Sequence, residues 1–254
     1  MSLLSLNSVR KEFGGLVALR NVDFHVNEGE VLGIIGPNGA GKTTLFNVIT
    51  GVYDLTEGNI TLNDEDLAPF RMYEIVEKGV SRTFQNIRLF EGMSVVENLV
   101  VGMHTNLEAG FFQSIFPSKK EKEEERKAYE KAYELLKLVN LKESADVQAT
   151  SLSYGQKRRL EIARAMAASP KVLLLDEPAA GMNDSESKDL KELILKINQE
   201  YDMTIVVIEH DMNLMMGICD RMVVLNFGEK IAEGLPREIQ DNPVVIEAYL
   251  GEDN

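Results

Sequence analysis

Gly36-Pro37-Asn38-Gly39-Ala40-Gly41-Lys42-Thr43 decides the fold of this 254-residue chain. A glycine-rich turn that ends in Gly-Lys-Thr and joins an apolar strand to a helix reads as a phosphate cradle. Ahead of it, Val31-Leu32-Gly33-Ile34-Ile35 is a short apolar run suited to a strand buried on both faces. Behind it, Leu45, Val48 and Ile49 recur at helical spacing. The glycines let the backbone wrap closely around an anion, so that N–H groups and a helix N-terminus point at the phosphates. Lys42 is placed to reach the terminal phosphates and the Thr43 hydroxyl to meet a magnesium ion; Thr44 belongs to the same binding turn.

The bulk composition narrows what such a site can serve. A chain of this length can bury one α/β core with an inserted subdomain, and a single compact unit is expected. The formal net charge of −14 argues against nucleic acid or an anionic lipid surface as a direct partner, because both need a basic footprint. One cysteine, Cys219, offers no disulfide framework and reads as a small buried hydrophobe. With no secretory leader pattern at the start, the expected compartment is a reducing cytoplasm. No charge-free apolar run approaches the roughly 18 residues that span a bilayer. A role at a membrane would therefore leave the spanning to another chain.

Along the chain, Val22, Phe24 and Val26 alternate with Asn21, Asp23 and His25, which predicts an antiparallel, half-exposed strand. Further strands are expected at residues 58–62, 80–84, 172–175, 204–208 and 222–225, the last three separated by helix-length amphipathic segments. That pattern predicts an α/β fold with a mostly parallel sheet. Residues 94–168 show helical periodicity and no convincing strand, so they read as an inserted helical subdomain dividing a core of residues 1–93 and 169–254. Within it, the charged run 119–126 reads as a solvated helix face with i,i+4 pairs, followed by an apolar stripe at Tyr129, Tyr133, Leu136 and Val139. Phe111-Phe112-Gln113-Ser114-Ile115-Phe116-Pro117 needs cover, either from the subdomain itself or from a membrane-embedded partner.

The remaining candidate site residues sit at element ends. Asp176 and Glu177 close the apolar run Val172-Leu173-Leu174-Leu175, where ligands bind in open α/β sheets. Asp176 would hold magnesium and Glu177 would polarise an attacking water as general base. His210 ends the strand-like Ile205-Val206-Val207-Ile208-Glu209 and could touch the region of the terminal phosphate. Leu152-Ser153-Tyr154-Gly155-Gln156 precedes a helix, with Ser153 as its N-cap and Gly155 permitting close backbone approach, so it forms a second anion-binding helix start.

With residues 36–43, Gln85, Ser153 to Gln156, Asp176-Glu177 and His210 in this order, the chain resembles ABC transporter ATPase subunits over essentially its whole length. The resemblance implies a P-loop NTPase (RecA-like) core, an N-terminal antiparallel β subdomain and an inserted α-helical subdomain. It implies ATP and Mg2+ as ligands and ATP hydrolysis as the activity. Phe13 looks like the aromatic residue that stacks on adenine, and Gln85 like the residue linking magnesium to the transmembrane partner. Residues 179–183 look like the D-loop, Glu177 like the catalytic base and His210 like the switch histidine. Ser153, Gly155 and Gln156 match the signature that contacts ATP held by an opposite subunit. Tyr154 stands where many members have glycine and Asn183 where many have aspartate. Ser81-Arg82-Thr83-Phe84-Gln85-Asn86-Ile87-Arg88-Leu89-Phe90, the Gly110-Phe111-Phe112 loop and the run from Tyr154 to Arg164 look like the branched-chain amino-acid importer branch; urea importers share much of this pattern. Implied partners are a second ATPase subunit, identical or different, transmembrane permease subunits and, indirectly, a substrate-binding protein. The implied place is the cytoplasmic face of the membrane. A soluble, non-transport ABC ATPase is the competing reading.

Overall fold

The computed structural model describes residues 2–103 and 119–250. The loops at 110–112 and 111–117 singled out above lie outside the described residues. In chain order the elements are β1 (Ser2–Phe13), β2 (Leu16–Asn27), β3 (Val31–Ile35), α1 (Lys42–Ile49), β4 (Glu57–Leu62), β5 (Glu65–Asp66), α2 (Met72–Lys78) and β6 (Val80–Arg82). Three helices follow, α3 (Val95–Gly102), α4 (Lys119–Leu138) and α5 (Tyr154–Ala167). The chain then alternates through β7 (Val172–Asp176), α6 (Asp184–Tyr201), β8 (Thr204–Ile208), α7 (Met212–Ile218), β9 (Arg221–Asn226), β10 (Glu229–Gly234), α8 (Pro236–Gln240) and α9 (Pro243–Leu250). Two compact units result, one formed by the chain up to Arg82 together with the chain from Lys171 on, the other by Thr83–Pro170.

The first unit holds two sheets. One is antiparallel, in the order β2-β1-β4-β5. On β2 the alternation expected from the sequence is present: Val22, Phe24 and Val26 are buried while Asn21, Asp23 and His25 face solvent. The other has the order β10-β9-β3-β8-β7-β6 and is parallel except for the β10 edge. Every residue of β3, β7 and β8 is buried, as unbroken apolar runs in a doubly covered parallel sheet require. Residues from both sheets and α1, among them Leu4, Val22, Ile34, Phe46, Leu174 and Val206, share one hydrophobic core.

The second unit is helical. Among the described residues, its β-type pairing is an isolated bridge between Ser94 and Gln148. The apolar stripe of α4 buries Ala132, Leu136 and Val139 just beyond its end, with Tyr129 and Tyr133 half-buried beside them. Its charged first half is solvated and laced by ion pairs such as Arg126 with Glu123 and Glu130, at 2.6 and 2.5 Å. This unit starts at Thr83, ahead of the boundary at residue 94 that helical periodicity suggests. The physical reason is that residues 84–90 are irregular backbone held by side chains of α3 and α5, which leaves no periodic trace in the sequence.

Among the described residues no helix is long and apolar enough to cross a membrane. Cys219 is half-buried at the end of α7, with its sulfur 3.8 Å from that of Met215. Burial, with Asp220 adding to it, pushes its thiol up to about 12. Since the thiolate is the nucleophile, alkylation at pH 8 should run on the order of 10^3-fold slower than for a free cysteine. Timed iodoacetamide labelling checks this, and free-thiol rates would contradict it.

Candidate nucleotide site

Sheet order builds the site. β8 lies between β3 and β7, with Ile34 level with Ile208 and Ile208 level with Asp176. The residues just past these strand ends, Gly36, Glu209-His210 and Glu177, therefore leave the sheet along one edge, the carboxyl edge where parallel sheets bind ligands.

The loop from Gly36 is tightly bound by its surroundings. A Cβ at Gly36 (φ 153°) would lie 2.1 Å from the Leu225 carbonyl oxygen, and one at Gly41 (φ 101°) 2.8 Å from that of Ala18. Only glycine permits this approach. Gly41 is also the N-cap of α1, whose first turn is Lys42, Thr43 and Thr44. The Ala40 N–H donates to the Pro37 carbonyl at 3.2 Å, and the Gly228 N–H donates to the Ala40 carbonyl at 3.0 Å. Lys42 is buried, its ammonium donating to the carbonyls of Gly36 and Pro37 at 2.6 and 2.8 Å. A cation is thus already held inside the loop that the helix start faces.

A cavity of about 520 Å³ opens over this loop, lined by Asn38, Gly39, Ala40, Gly41, Lys42, Thr43 and Thr44, with Glu177 and His210 on one side and Phe13 on another. Phe13 ends β1, is 38% exposed, and meets Tyr53 edge-on with ring centroids 5.1 Å apart. The Lys11 ammonium lies 4.8 Å from its ring centre. A partly exposed, braced ring beside the phosphate loop is suited to stacking on a base.

Glu177 occupies left-handed backbone (φ 46°), uncommon for a residue other than glycine and concentrated at functional sites. Its N–H donates to the Ile208 carbonyl at 2.9 Å. Its Oε1 lies 3.2 Å from Nε2 of His210, so the two candidate residues just past β7 and β8 meet directly. Glu209, which the sequence reading passed over as strand, is buried and anchors both loops. Its carboxylate accepts from the N–H of Ala179 at 2.6 Å and from that of His210 at 2.8 Å.

Arg82 is a second residue missed by sequence reading. Its Nη2 donates to Asp176 Oδ2 at 2.5 Å and its Nη1 to Asn47 Oδ1 at 2.7 Å, with both partners of the ion pair buried. The acidic partner of Arg82 is set by the pairing of β6 with β7, which no local run of sequence carries. Gln85, Ser153, Gly155 and Gln156 belong to the second unit. There Ser153 caps α5, its Oγ accepting from the Gln156 N–H at 3.3 Å while Gln156 Oε1 accepts from the Ser153 N–H at 2.9 Å. Gly155 is buried in the first turn of α5, and the Gln85 carbonyl accepts from Arg158. Tyr154, at the position where glycine is common, is 45% exposed. Asn183 caps α6, accepting from the Glu186 N–H at 3.0 Å, so the change from aspartate keeps the helix start intact.

The residues fit a magnesium nucleotide. The glycine cradle, the Lys42 ammonium and the start of α1 suit a polyphosphate, and the Thr43 hydroxyl and Asp176 carboxylate are oxygen donors suited to a hard cation. Among the described residues no group of three or more His, Cys, Asp or Glu could hold a metal alone. Magnesium needs no such cage, since it is commonly bound through one or two carboxylates plus substrate phosphates.

Residues 19–180 match the family described as ABC transporter, and residues 229–254 match that described as branched-chain amino acid ATP-binding cassette transporter. The chain belongs to the ABC transporter family, as one of its ATP-binding cassettes. It is similar to the high-affinity branched-chain amino acid transport ATP-binding protein BraF of Pseudomonas aeruginosa, with 49% identity over 250 residues and 98% of each chain covered. The corresponding protein LivG of Escherichia coli K12 is 47% identical, again over 98% of each chain. Among solved structures, an ATP-binding cassette of an ABC transporter in its ADP conformation matches with a TM-score of 0.86 at 33% identity, covering 99% of both chains. A dimeric cassette bound to ADP and Pi matches with a TM-score of 0.77 at 27% identity, covering 92% of this chain and 99% of that one.

Proposed function

We propose that this chain is the ATP-hydrolysing subunit of an ABC importer for branched-chain amino acids, peripheral on the cytoplasmic face of the membrane. The observation that carries the hydrolytic part is the meeting of Glu177 and His210 at 3.2 Å on the cavity that also holds Lys42. The substrate class is supported by full-length likeness to BraF and LivG, whose names state branched-chain amino acid transport.

In this reading Phe13 stacks on adenine, the loop 36–44 and Lys42 bind the phosphates, and Thr43 and Asp176 would hold magnesium. Magnesium, when bound, neutralises phosphate charge and orients the terminal group for attack. Glu177 accepts the proton of the attacking water. His210 orients Glu177 and contacts the terminal phosphate. Two cassettes enclose two ATP molecules, each completed by Ser153, Gly155 and Gln156 of the opposite subunit, and closure moves permease subunits that dock near residues 85–89. A cavity of about 300 Å³ lined by Asn86, Ile87, Leu89 and Tyr154 supports docking there. A substrate-binding protein would deliver the solute to those permeases.

The test is to purify the chain with its membrane partners and reconstitute them in vesicles. Leucine, isoleucine or valine with the cognate binding protein should stimulate ATPase activity and be taken up. Stimulation by urea alone would overturn the substrate assignment. In the same preparation Lys42→Ala should weaken ATP binding by more than about tenfold, since a charge-assisted contact to phosphate is worth roughly 1.5–3 kcal/mol. Unchanged affinity by equilibrium binding would remove Lys42 from the site.

A further inference from the structure

The segment 83–90 has no regular secondary structure, and its backbone polar groups are satisfied from an unexpected source. Arg158 and Glu161, one turn apart on α5, are 0% and 1% exposed and paired through Nη1 and Oε2 at 2.8 Å. Most of the rest of their hydrogen-bonding capacity is used outside the helix. Arg158 Nη1 donates to the Phe84 carbonyl at 2.6 Å, and Nη2 donates to the Gln85 carbonyl at 2.8 Å. Glu161 Oε1 accepts from the N–H groups of Phe84 and Arg88, at 3.3 and 3.4 Å. Four backbone groups across residues 84–88 are thus held by one charge pair. The same Arg158 Nη2 lies 3.5 Å from the Tyr154 hydroxyl, in the first turn of α5.

A pair this deeply buried is a poor device for stability. Taking both charges out of water costs several kcal/mol per ion, and apolar residues of similar volume often do as well or better. Burial indeed raises the Glu161 carboxyl above its ordinary range, against the opposing pull of Arg158 and the two N–H groups. Arg158 Nε is buried with no hydrogen-bond partner among the described residues, a further cost. What apolar substitutes could not do is hold two successive carbonyls in a planar fork and two N–H groups on one carboxylate oxygen.

We propose that Arg158 and Glu161 are positioning residues that lock the backbone of 84–88 to the helix beginning at the signature, so that Gln85 and Ser153 are presented as one rigid piece. This rests on the function proposed above. The loop side chains Asn86, Ile87 and Leu89 line a cavity together with Tyr154 and Lys157, so the same brace also sets the shape of that surface. A rigid piece matters for turnover rather than for nucleotide affinity, because misplacement of about 1 Å can cost on the order of 10^2-fold in rate.

The test compares the full-length chain with R158M/E161L, an apolar pair of similar bulk, and with R158K, which keeps the ion pair but loses the fork. Thermal unfolding, amide hydrogen exchange at Phe84 and Arg88, and kcat and KM for ATP are measured on each. R158M/E161L should unfold close to wild type while exchange at both amides rises and kcat falls, each about tenfold or more, with KM within about twofold. R158K should fall between the two. Exchange or kcat at wild-type levels in R158M/E161L, or a KM that rises in step with the loss of kcat, would overturn the proposal. If R158M/E161L does not fold, R158K alone decides by the same split. An inactive wild-type protein would count against the proposed function instead, and the exchange rates would still test the brace.

Discussion

Glu177→Gln is expected to cut ATP turnover by about 10^3-fold while leaving ATP binding unchanged, within the usual range for loss of a positioned general base. The substitution keeps the size of the side chain and its ability to meet His210, so the 3.2 Å contact survives and only the basicity is removed. The backbone is the other half of the argument. Glu177 holds a left-handed conformation with its N–H bound to Ile208, which fixes the direction in which the carboxylate leaves the end of β7. Its side chain is 17% exposed, enough for water to reach it and too little for it to be a plain surface residue. Hydrolysis assays at saturating Mg-ATP give the rate, equilibrium binding gives the affinity, and gel filtration with ATP should reveal an accumulated closed dimer. Wild-type turnover in this variant would remove Glu177 from the role of base.

Arg82→Met is expected to destabilise the protein by about 3–5 kcal/mol, the cost of breaking a buried ion pair from one side. Arg82 and Asp176 side chains are 6% and 3% exposed, and their 2.5 Å contact is backed by the bond from Arg82 to Asn47 and by the Phe46 ring 5.3 Å away. Methionine replaces the bulk but removes a guanidinium from beside a buried carboxylate. For a chain of this size the thermal midpoint should fall by about 10 °C. Arg82→Lys keeps the charge, loses the two-pronged geometry and should fall by less. A midpoint unchanged in Arg82→Met would mean that the Asp176 charge is carried by its other surroundings. Because Asp176 is a proposed magnesium ligand, Arg82 also sets the position of that carboxylate before any metal arrives.

Both substitutions show what could be read without a structure. Glu177 follows an apolar strand and a preceding aspartate, a local pattern that survives in the sequence. The partner of Arg82 lies 94 residues away, and nothing within the short run around it distinguishes a buried arginine from a solvated one. Arg158 and Glu161 illustrate the same limit: an i,i+3 charge pair on a helix reads as a surface pair, and its burial comes from a loop more than 70 residues earlier in the chain. The segment from Thr83 to residue 90 carries no local trace either, since irregular backbone held by side chains has no period.

By itself the sequence determined the glycine loop, the strands that end in Asp176-Glu177 and Glu209-His210, the cap Ser153, and the split between parallel core and helical insertion. Each depends on a few neighbouring residues: glycine where φ is positive, an oxygen side chain at a helix start, a period of 2 or 3.6. Only the tertiary structure decided that β8 lies between β3 and β7, so that three separately readable strand ends open into one cavity. It also decided which buried charges face one another, Arg82 with Asp176 and Arg158 with Glu161. Strand order and long-range pairing are settled by how apolar faces and charges find partners across the whole chain, and no local window carries that information.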